Sequence, residues 1–481
     1  MKPQELFEGI AYEGILPQED ITLVTQDSRR VAPGAVFVCA KGQLSDGHDY
    51  AQKAIDAGAS CVVTEHALHL AHEITVENGR KAYALLCANF FGNPAKKLRL
   101  AAVTGTNGKT TVSTLIKQIL EQNGHKVGLI GTIHTEIDTM EVPAKYTTPE
   151  AWDLHALLAR MVAAGCDMAV MEASSQALDQ MRLWGLTFEV GVFTNLTQDH
   201  LDYHKTFENY FAAKKSLFAQ VKTVIANVDD MYGRRIAADS TAEQIITISA
   251  KDDTADYTAH NLELSAAGVK FEMVGKNFIQ RIKFPMPGDY SVYNALCAAA
   301  AAIAMGIAPA NTAKALSTSH GVRGRCEVLY HGDFTILCDF AHTGDAIEKA
   351  LAGIAPFVKN RFLVLFGCAG ERDAKKRPLM SAAVVKYADF AILTSDNPRK
   401  ENPYDIIKDA EPTLKAAKLP YLVEVERRAA LHKALEMLET GDVLMLCGKG
   451  HEDYQVIDGV TIYLDEHRIV TDWLRSKNLV Q

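Results

Sequence analysis

The chain has 481 residues, 48% hydrophobic and 23% charged, with 50 Lys and Arg against 59 Asp and Glu for a net charge of -9. This length exceeds what one core usually serves, and the ordinary composition excludes a disordered or fibrous chain. The acidic balance excludes a general nucleic-acid-binding surface, so any anionic substrate must be met by local basic groups.

From the N-terminus to about Leu98 a small α/β unit is expected, with strands at Ala35 to Ala40 and Cys61 to Thr64 and a helix from Tyr50 to Ala57. The polar loop Lys41 to His48 and the run Gln26-Asp27-Ser28-Arg29 either bind a polar ligand or form a turn and a cap. Phe90-Phe91-Gly92-Asn93-Pro94 punctuates the chain before the next domain. There the strand Leu98 to Val103 leads into Gly105-Thr106-Asn107-Gly108-Lys109-Thr110-Thr111, and a helix follows, with Val112, Leu115, Ile116, Ile119 and Leu120 at helical spacing. Glycines let backbone N–H groups approach phosphate oxygens, Lys109 adds a full positive charge, and the Thr110 hydroxyl can reach a magnesium ion. The loop is shorter than the general P-loop pattern, with Val103 where that pattern has its first glycine.

Further strands are expected at Val127 to Ile130, Met168 to Met171, Val190 to Asn195 and Val221 to Asn227. Tyr146-Thr147-Thr148-Pro149 reads as an exposed hydroxyl-rich turn. Glu172 closes a strand where open α/β sheets bind ligands and nucleotide enzymes hold magnesium. Gln198-Asp199-His200-Leu201-Asp202-Tyr203-His204 reaches the same edge; with phosphate chemistry adjacent, magnesium is the expected ion rather than zinc. In the next helix Phe207, Tyr210, Phe211, Leu217 and Phe218 mark an apolar face that includes Lys214 but not Lys215. A lysine there either snorkels to water or stays inside as a neutral amine, which can take up carbon dioxide as a carbamate.

Residues 244–284 alternate polar and apolar and are expected to form a smaller antiparallel patch. Ala295 to Met305 is too short an apolar run to span a bilayer and reads as a buried alanine-rich helix. After a hinge at Gly321-Val322-Arg323-Gly324-Arg325, strands at Thr335 to Asp339, Arg361 to Phe366, Phe390 to Thr394 and Val443 to Cys447 make a second doubly wound domain. Their ends carry Asp339 and His342, Gly367 to Asp373, Asp396-Asn397-Pro398-Arg399 and Gly448 to Glu452, a rim suited to a polar substrate with carboxylates. The nine cysteines, without a Cys-x-x-Cys pair, read as reduced core residues of a cytoplasmic protein, and the acids near the N-terminus do not fit a signal peptide.

Taken in order, Asp27-Ser28-Arg29, the Gly105 to Thr111 loop, Thr147-Thr148-Pro149, Glu172-Ala173-Ser174-Ser175, Thr197 to His204, Tyr210 to Lys214, Asp339-Phe340-Ala341-His342, residues 367–378 and residues 448–455 resemble the Mur ligase family over essentially the whole chain. The resemblance implies an α/β protein of three domains. Residues 1–98 would be a small N-terminal UDP-binding domain, 99–322 a central P-loop domain with a mostly parallel sheet, and 323–481 a C-terminal Rossmann-like amino-acid-binding domain. It implies an ATP-dependent ligase of cytoplasmic peptidoglycan precursor synthesis, adding meso-diaminopimelate to the D-glutamyl γ-carboxylate of UDP-N-acetylmuramoyl-L-alanyl-D-glutamate through an acyl phosphate.

On the same resemblance Lys109 and the loop would hold the transferring phosphoryl group. Thr110 and Glu172 would hold one Mg2+; His200 and carbamylated Lys214 would serve another. Ser28, Gln43, Leu44 and Ser45 would bind the uridine-diphosphate end, and Thr147, Thr148, Ser174, Gln180 and Arg182 the muramoyl-dipeptide. Asn294, Arg325, Asp339 and His342 would contact ATP. Arg399 would select the amino acid, with Arg372, Asp396, Asn397, Pro398, Gly448 and Glu452 around it, since a guanidinium pairs bidentately with the second carboxylate that L-lysine lacks. A monomer, without nucleic acid or membrane insertion, is expected. The alternatives are the same reaction with L-lysine, a folylpolyglutamate-synthase-like ligase, and a P-loop ATPase that is no ligase.

Overall fold

The structure is a computed structural model that describes residues 1–42 and 45–480. The chain forms two compact units: Met1–Thr258 with Leu296–Thr312, and Ala259–Ala295 with the chain from Ala313 onward. Both are α/β.

The first unit opens with a small sheet of β1 (Glu13–Gly14), β2 (Leu23–Thr25), β3 (Ala35–Val38), β4 (Cys61–Thr64) and β5 (Glu73–Thr75), in the order β1-β5-β4-β3-β2. Strands β3 and β4 are buried along their whole length, as β-branched runs with covered faces should be. The larger sheet is built from β6 (Arg99–Thr104), β7 (Val127–Ile130), β8 (His134–Ile137), β9 (Met140–Pro143), β10 (Met168–Glu172), β11 (Phe188–Phe193), β12 (Val221–Asn227) and β13 (Gln244–Ser249). Its order is β13-β12-β11-β6-β10-β7-β8-β9. The strands from β13 to β7 run parallel and β7, β8 and β9 alternate, so the C-terminal ends of β6, β10 and β11 share one edge. Residues 151–163, 207–218 and 231–239 pack against this sheet through Leu154, Leu158, Phe211, Leu217 and Ile236.

Two expectations need correction. Gln244–Ser249 is parallel to β12 and extends the main sheet, because the helix Met231–Asp239 supplies the crossover that a parallel connection requires. Thr148 is not exposed: it is 1% accessible, its hydroxyl spent on the backbone around Glu172.

In the second unit β14 (Tyr257–Ser265), whose first residues pair with β13, is followed by the antiparallel β15 (Gly268–Gly275) and β16 (Phe278–Phe284). The buried alanine-rich helix is present as Tyr290–Ala304, with Leu296 onward counted in the first unit. Then β17 (Glu327–His331), β18 (Thr335–Asp339), β19 (Phe362–Cys368), β20 (Phe390–Ser395), β21 (Tyr421–Val423) and β22 (Val443–Cys447) form a sheet ordered β17-β18-β22-β19-β20-β21, parallel except at β17. A separate hairpin, β23 (Tyr454–Ile457) and β24 (Val460–Tyr463), follows. All nine cysteines are free and buried.

Behind this sheet Arg427 is wholly buried and donates from Nε to Glu466 Oε1 at 2.8 Å and from a terminal nitrogen to the Cys447 carbonyl at 2.9 Å. Removing one member of a buried pair strands the other charge. Arg427→Ala is therefore expected to cost about 3–5 kcal/mol, read from urea denaturation, whereas substitution of an exposed pair such as Lys349–Asp345 shifts stability by about 1 kcal/mol or less.

Candidate active site

The phosphate loop lies between β6 and the helix Lys109–Gln122, whose N-cap Gly108 has φ 87°. Gly105 has φ 148°, and a Cβ there would sit 2.0 Å from Thr194 Oγ1, so side chain and backbone strain both exclude other residues. The loop is fastened to the end of β11: Thr106 N donates to Asn195 O at 2.9 Å, Asn107 N to Asn195 Oδ1 at 3.0 Å, and Thr194 Oγ1 to Asn107 O at 2.6 Å. Lys109 Nζ donates to the carbonyls of Gly105 and Thr106 at 3.0 and 2.9 Å, which draws its charge onto the loop. Thr111 is buried in the first helical turn.

Glu172, 1% exposed, ends β10 beside this loop. Its Oε2 accepts from Thr110 Oγ1 at 3.1 Å and Thr132 Oγ1 at 3.0 Å, and its Oε1 from Thr132 N at 2.8 Å. Thr148 Oγ1 donates to the Glu172 carbonyl at 2.7 Å and accepts from Ser174 N at 3.0 Å. Thr132, which no motif marks, is thus the residue that orients the carboxylate.

Lys214 stays inside, 1% exposed. Its Nζ donates to Gly105 O at 2.8 Å and lies 4.6 Å from the centre of the Tyr210 ring. Burial first, and the neighbouring Lys109 second, push its pKa well below the ordinary lysine value, with Asp199 opposing. His200, in a left-handed conformation at φ 52°, is half-exposed; burial lowers its pKa against the pull of Asp199, which favours the neutral imidazole that can bind a cation. His204 is buried and pairs with Ser175 Oγ at 2.9 Å, so the two histidines do not share a ligand set. Among the described residues no three His, Cys, Asp or Glu side chains converge as metal ligands.

Beside this cluster opens a polar cleft of about 420 Å³. It brings together the anticipated Thr147, Thr148, Ser174, Gln180 and Arg182, and adds Thr132, Lys145, Tyr146, Gln176 and Tyr203. Arg182 donates to Gln180 Oε1 at 2.7 Å and Thr148 O at 2.8 Å and pairs with Glu150 at 2.7 Å. Ser28 begins a short 3-10 turn capped by Asp27, whose Oδ1 accepts from Arg29 N at 3.0 Å. Ser45 O accepts from Gly42 N at 2.9 Å; Gln43 and Leu44 lie outside the described residues.

In the second unit Asp339 ends β18, its oxygens accepting from Cys326 N at 2.6 Å and Ala341 N at 2.7 Å. Burial raises its pKa, against the Arg325 charge. The Arg325 guanidinium lies 5.0 Å from the Phe340 ring centre, and His342 Nδ1 donates to Phe340 O at 2.8 Å. Asn294 is buried on the helix Tyr290–Ala304.

At the ends of β20 and β22, Lys449 is fully buried and joins three predicted residues: Asn397 Oδ1 at 2.8 Å, Glu452 Oε2 at 3.0 Å and Asp396 Oδ1 at 3.2 Å. Burial alone would raise the Asp396 pKa, but Lys449 and Arg427 outweigh it and keep the carboxyl below its usual value. Gly448 and Pro398 are buried, Arg372 is exposed, and Arg399, at φ 55°, donates from its guanidinium to Gly370 O at 2.8 Å.

Residues 20–90 match the family description "Mur ligase family, catalytic domain", 103–302 "Mur ligase middle domain" and 324–450 "Mur ligase, glutamate ligase domain". The chain is also 41% identical over 484 aligned residues, 99% of its own length and 100% of the relative's, to a Clostridium acetobutylicum protein named UDP-N-acetylmuramoyl-L-alanyl-D-glutamate--2,6-diaminopimelate ligase 1. The chain belongs to the Mur ligase family. Another member, the Geobacillus thermodenitrificans protein named as the same ligase, is 41% identical, with 94% of each chain covered. A solved Mur ligase structure described as UDP-N-acetylmuramoyl-L-alanyl-D-glutamate--2,6-diaminopimelate ligase superposes with a TM-score of 0.76 at 32% identity, covering 99% of both chains. Among the described residues of this Mur ligase no helix is long and apolar enough to cross a membrane.

Proposed function

We propose that this chain joins meso-diaminopimelate to the D-glutamyl γ-carboxylate of UDP-N-acetylmuramoyl-L-alanyl-D-glutamate at the expense of ATP. The observation that carries the reading is the half-buried Lys109 with the buried Thr110, Glu172 and Lys214 around one phosphate loop, opening beside a polar cleft, in a chain collinear with relatives named for this reaction. Residues 1–98 take the UDP end, with Ser28, Ser45 and the Gln43-Leu44 segment; 99–322 carry the phosphoryl chemistry; 323–481 bind the amino acid and contact ATP through Arg325, Asp339 and His342, joined by Asn294.

A carboxylate is a poor electrophile. Its oxygen attacks the γ-phosphorus of ATP, ADP leaves, and the resulting acyl phosphate is open to an amine. The amine nitrogen then attacks the carbonyl carbon, phosphate departs with the C–O electron pair, and the nitrogen loses a proton to give the amide. Lys109 and the loop hold the phosphoryl group as negative charge redistributes over its oxygens. Arg182, Gln180, Thr147 and Ser174 hold the acceptor so that its carboxylate faces that phosphorus.

Magnesium prefers oxygen ligands. Thr110 Oγ1 and Glu172 Oε2, 3.1 Å apart and buried, fit such an ion, and His200 with a carbamate on Lys214 would serve a second. Bound there, magnesium neutralises phosphate charge and polarises the phosphoryl and carboxyl oxygens. The amine of Lys214 reaches the carbamate by N–C bond formation with carbon dioxide and loss of a proton.

The test is release of ADP and phosphate with each substrate present or omitted. Turnover is expected only when the UDP-linked acceptor and meso-diaminopimelate are both supplied. ATP hydrolysis that ignores both would sink the ligase reading in favour of a simple ATPase.

A further inference from the structure

Two loops of the second unit carry the residues assigned above to the amino acid: one after β19 with Arg372, one after β20 with Arg399. Neither loop is itself a helix or strand. Joining them is Arg377, on the helix Lys376–Tyr387, 3% exposed and given no role so far. Its two terminal nitrogens donate to the two oxygens of Glu401, each at 2.7 Å, and one also donates to Asp409 Oδ2 at 2.8 Å. Glu401 follows Arg399 by two residues, and its Oε2 also accepts from Glu371 N at 2.9 Å, next to Arg372. One carboxylate is therefore bonded to both loops, and a bidentate fork fixes its plane as well as its position.

The loops touch closely. A Cβ on Gly370 would lie 2.0 Å from Pro398 O, Gly370 N donates to Asn397 O at 2.9 Å, and the Arg399 guanidinium donates back to Gly370 O at 2.8 Å. On its other side Arg399 N donates to Val456 O at 2.9 Å and Arg399 O accepts from Asp458 N at 2.5 Å, so the β23–β24 hairpin grips the same residue. Arg399 and Glu371 both hold left-handed backbone, φ 55° and 53°, which non-glycine residues keep only where their surroundings impose it. The hydrogen bond from Arg377 keeps the Glu401 carboxyl below its usual pKa, so the clamp stays ionised at neutral pH.

We infer that Arg377 and Glu401 form a positioning clamp that sets Arg399 and Arg372 for the amino-acid substrate, and so decide how strictly its second carboxylate is required. The inference rests on the amino-acid assignment of the proposed function and goes beyond it by naming residues that do not touch the substrate. An Arg377→Ala protein leaves Glu401 half-buried without its partner and can unfold, so the informative variants are Arg377→Lys, which keeps the charge but not the fork, and Glu401→Gln, which keeps the shape.

Steady-state kinetics on the full chain, with meso-diaminopimelate and L-lysine and with thermal melting alongside, test it. Both variants are expected to raise KM for meso-diaminopimelate by about ten- to a hundred-fold, since small misplacements of substrate-positioning groups cost that much. KM for ATP and for the UDP-linked acceptor should stay within about two-fold, and the preference over L-lysine should shrink in the same variants. Asp409→Asn, which leaves the fork intact, should behave as wild type. An unchanged KM for meso-diaminopimelate in folded variants overturns the clamp, and so does a parallel rise in all three KM values, the mark of general loosening. If wild type itself does not use meso-diaminopimelate, the functional reading falls and the clamp with it; a competent wild type with indifferent variants removes the clamp alone.

Discussion

Lys214→Met is expected to lose about a thousand-fold or more in kcat while remaining folded, on the scale seen when a preorganised electrostatic group is removed from a reacting centre. Methionine approximates the length and apolar stem of the side chain without its charge, so packing beside the Tyr210 ring is largely preserved. A lysine on an apolar stripe normally serves the fold by snorkelling; this one does not reach water at all. Its buried amine donates to the carbonyl of the first glycine of the phosphate loop at 2.8 Å, which places a desolvated nitrogen beside that loop. Because burial lowers its pKa in the fold, the unfolded chain binds the extra proton between the folded pKa and 10.5, so stability contributed at this residue rises with pH across that window and is lost as pH falls through it. The methionine protein should lack that slope, measured as the change in unfolding free energy with pH. If the carbamate forms, wild-type activity should fall in carbon-dioxide-depleted buffer and return with bicarbonate, and labelled bicarbonate should give a carbamate carbon resonance that the variant lacks. Full activity of Lys214→Met would remove this residue from the mechanism.

The parts of this molecule legible in the sequence are those whose signal is local. Apolar runs of strand length ended by a charged or glycine-rich turn placed β6, β10 and β22 within a residue or so of their observed ends, and helical spacing alone put Lys214 on a buried face. What stayed hidden depends on partners far away in the chain. Thr148 looks like a surface turn residue until Glu172 and Ser174 are brought to its hydroxyl. Nothing local marks Asp396 as buried, yet it is 5% exposed and pairs with Lys449, which also bonds Asn397 and Glu452. The hairpin of β8 and β9 carries too few apolar residues to show a period, with β9 exposed along most of its length, and the direction of β13 rests on a crossover helix with a single buried aliphatic side chain, Ile236. Arg377 and Glu401 are 24 residues apart and share no motif; only the pairing of their side chains shows why either is needed.

Arg399→Met should lower kcat/KM for meso-diaminopimelate by about 10²–10³-fold and leave that for L-lysine unchanged or modestly raised, so the preference of the wild type collapses mainly from the substrate side that arginine recognises. The two amino acids share an α-amino acid end and differ at the other, where diaminopimelate adds a carboxylate to the amine. A site that contributes a guanidinium there gains a bidentate, charge-assisted pair with that carboxylate. The same guanidinium offered to L-lysine finds no acceptor and faces an ammonium, so the discrimination contains a repulsive component as well as an attractive one. In this chain the arginine is not free to swing away: its backbone is held by Val456 and Asp458, its conformation is left-handed, and its side chain is bonded to Gly370 O. Holding the group in advance lowers the ordering cost on binding and also prevents it from relaxing to accommodate the wrong substrate. Arg399→Lys separates charge from geometry: it restores a cation without the fork, and is expected to recover only part of the lost kcat/KM. Comparable turnover of L-lysine and meso-diaminopimelate by the wild type, or an Arg399→Met protein with undiminished kcat/KM for meso-diaminopimelate, would show that the second carboxylate is read elsewhere.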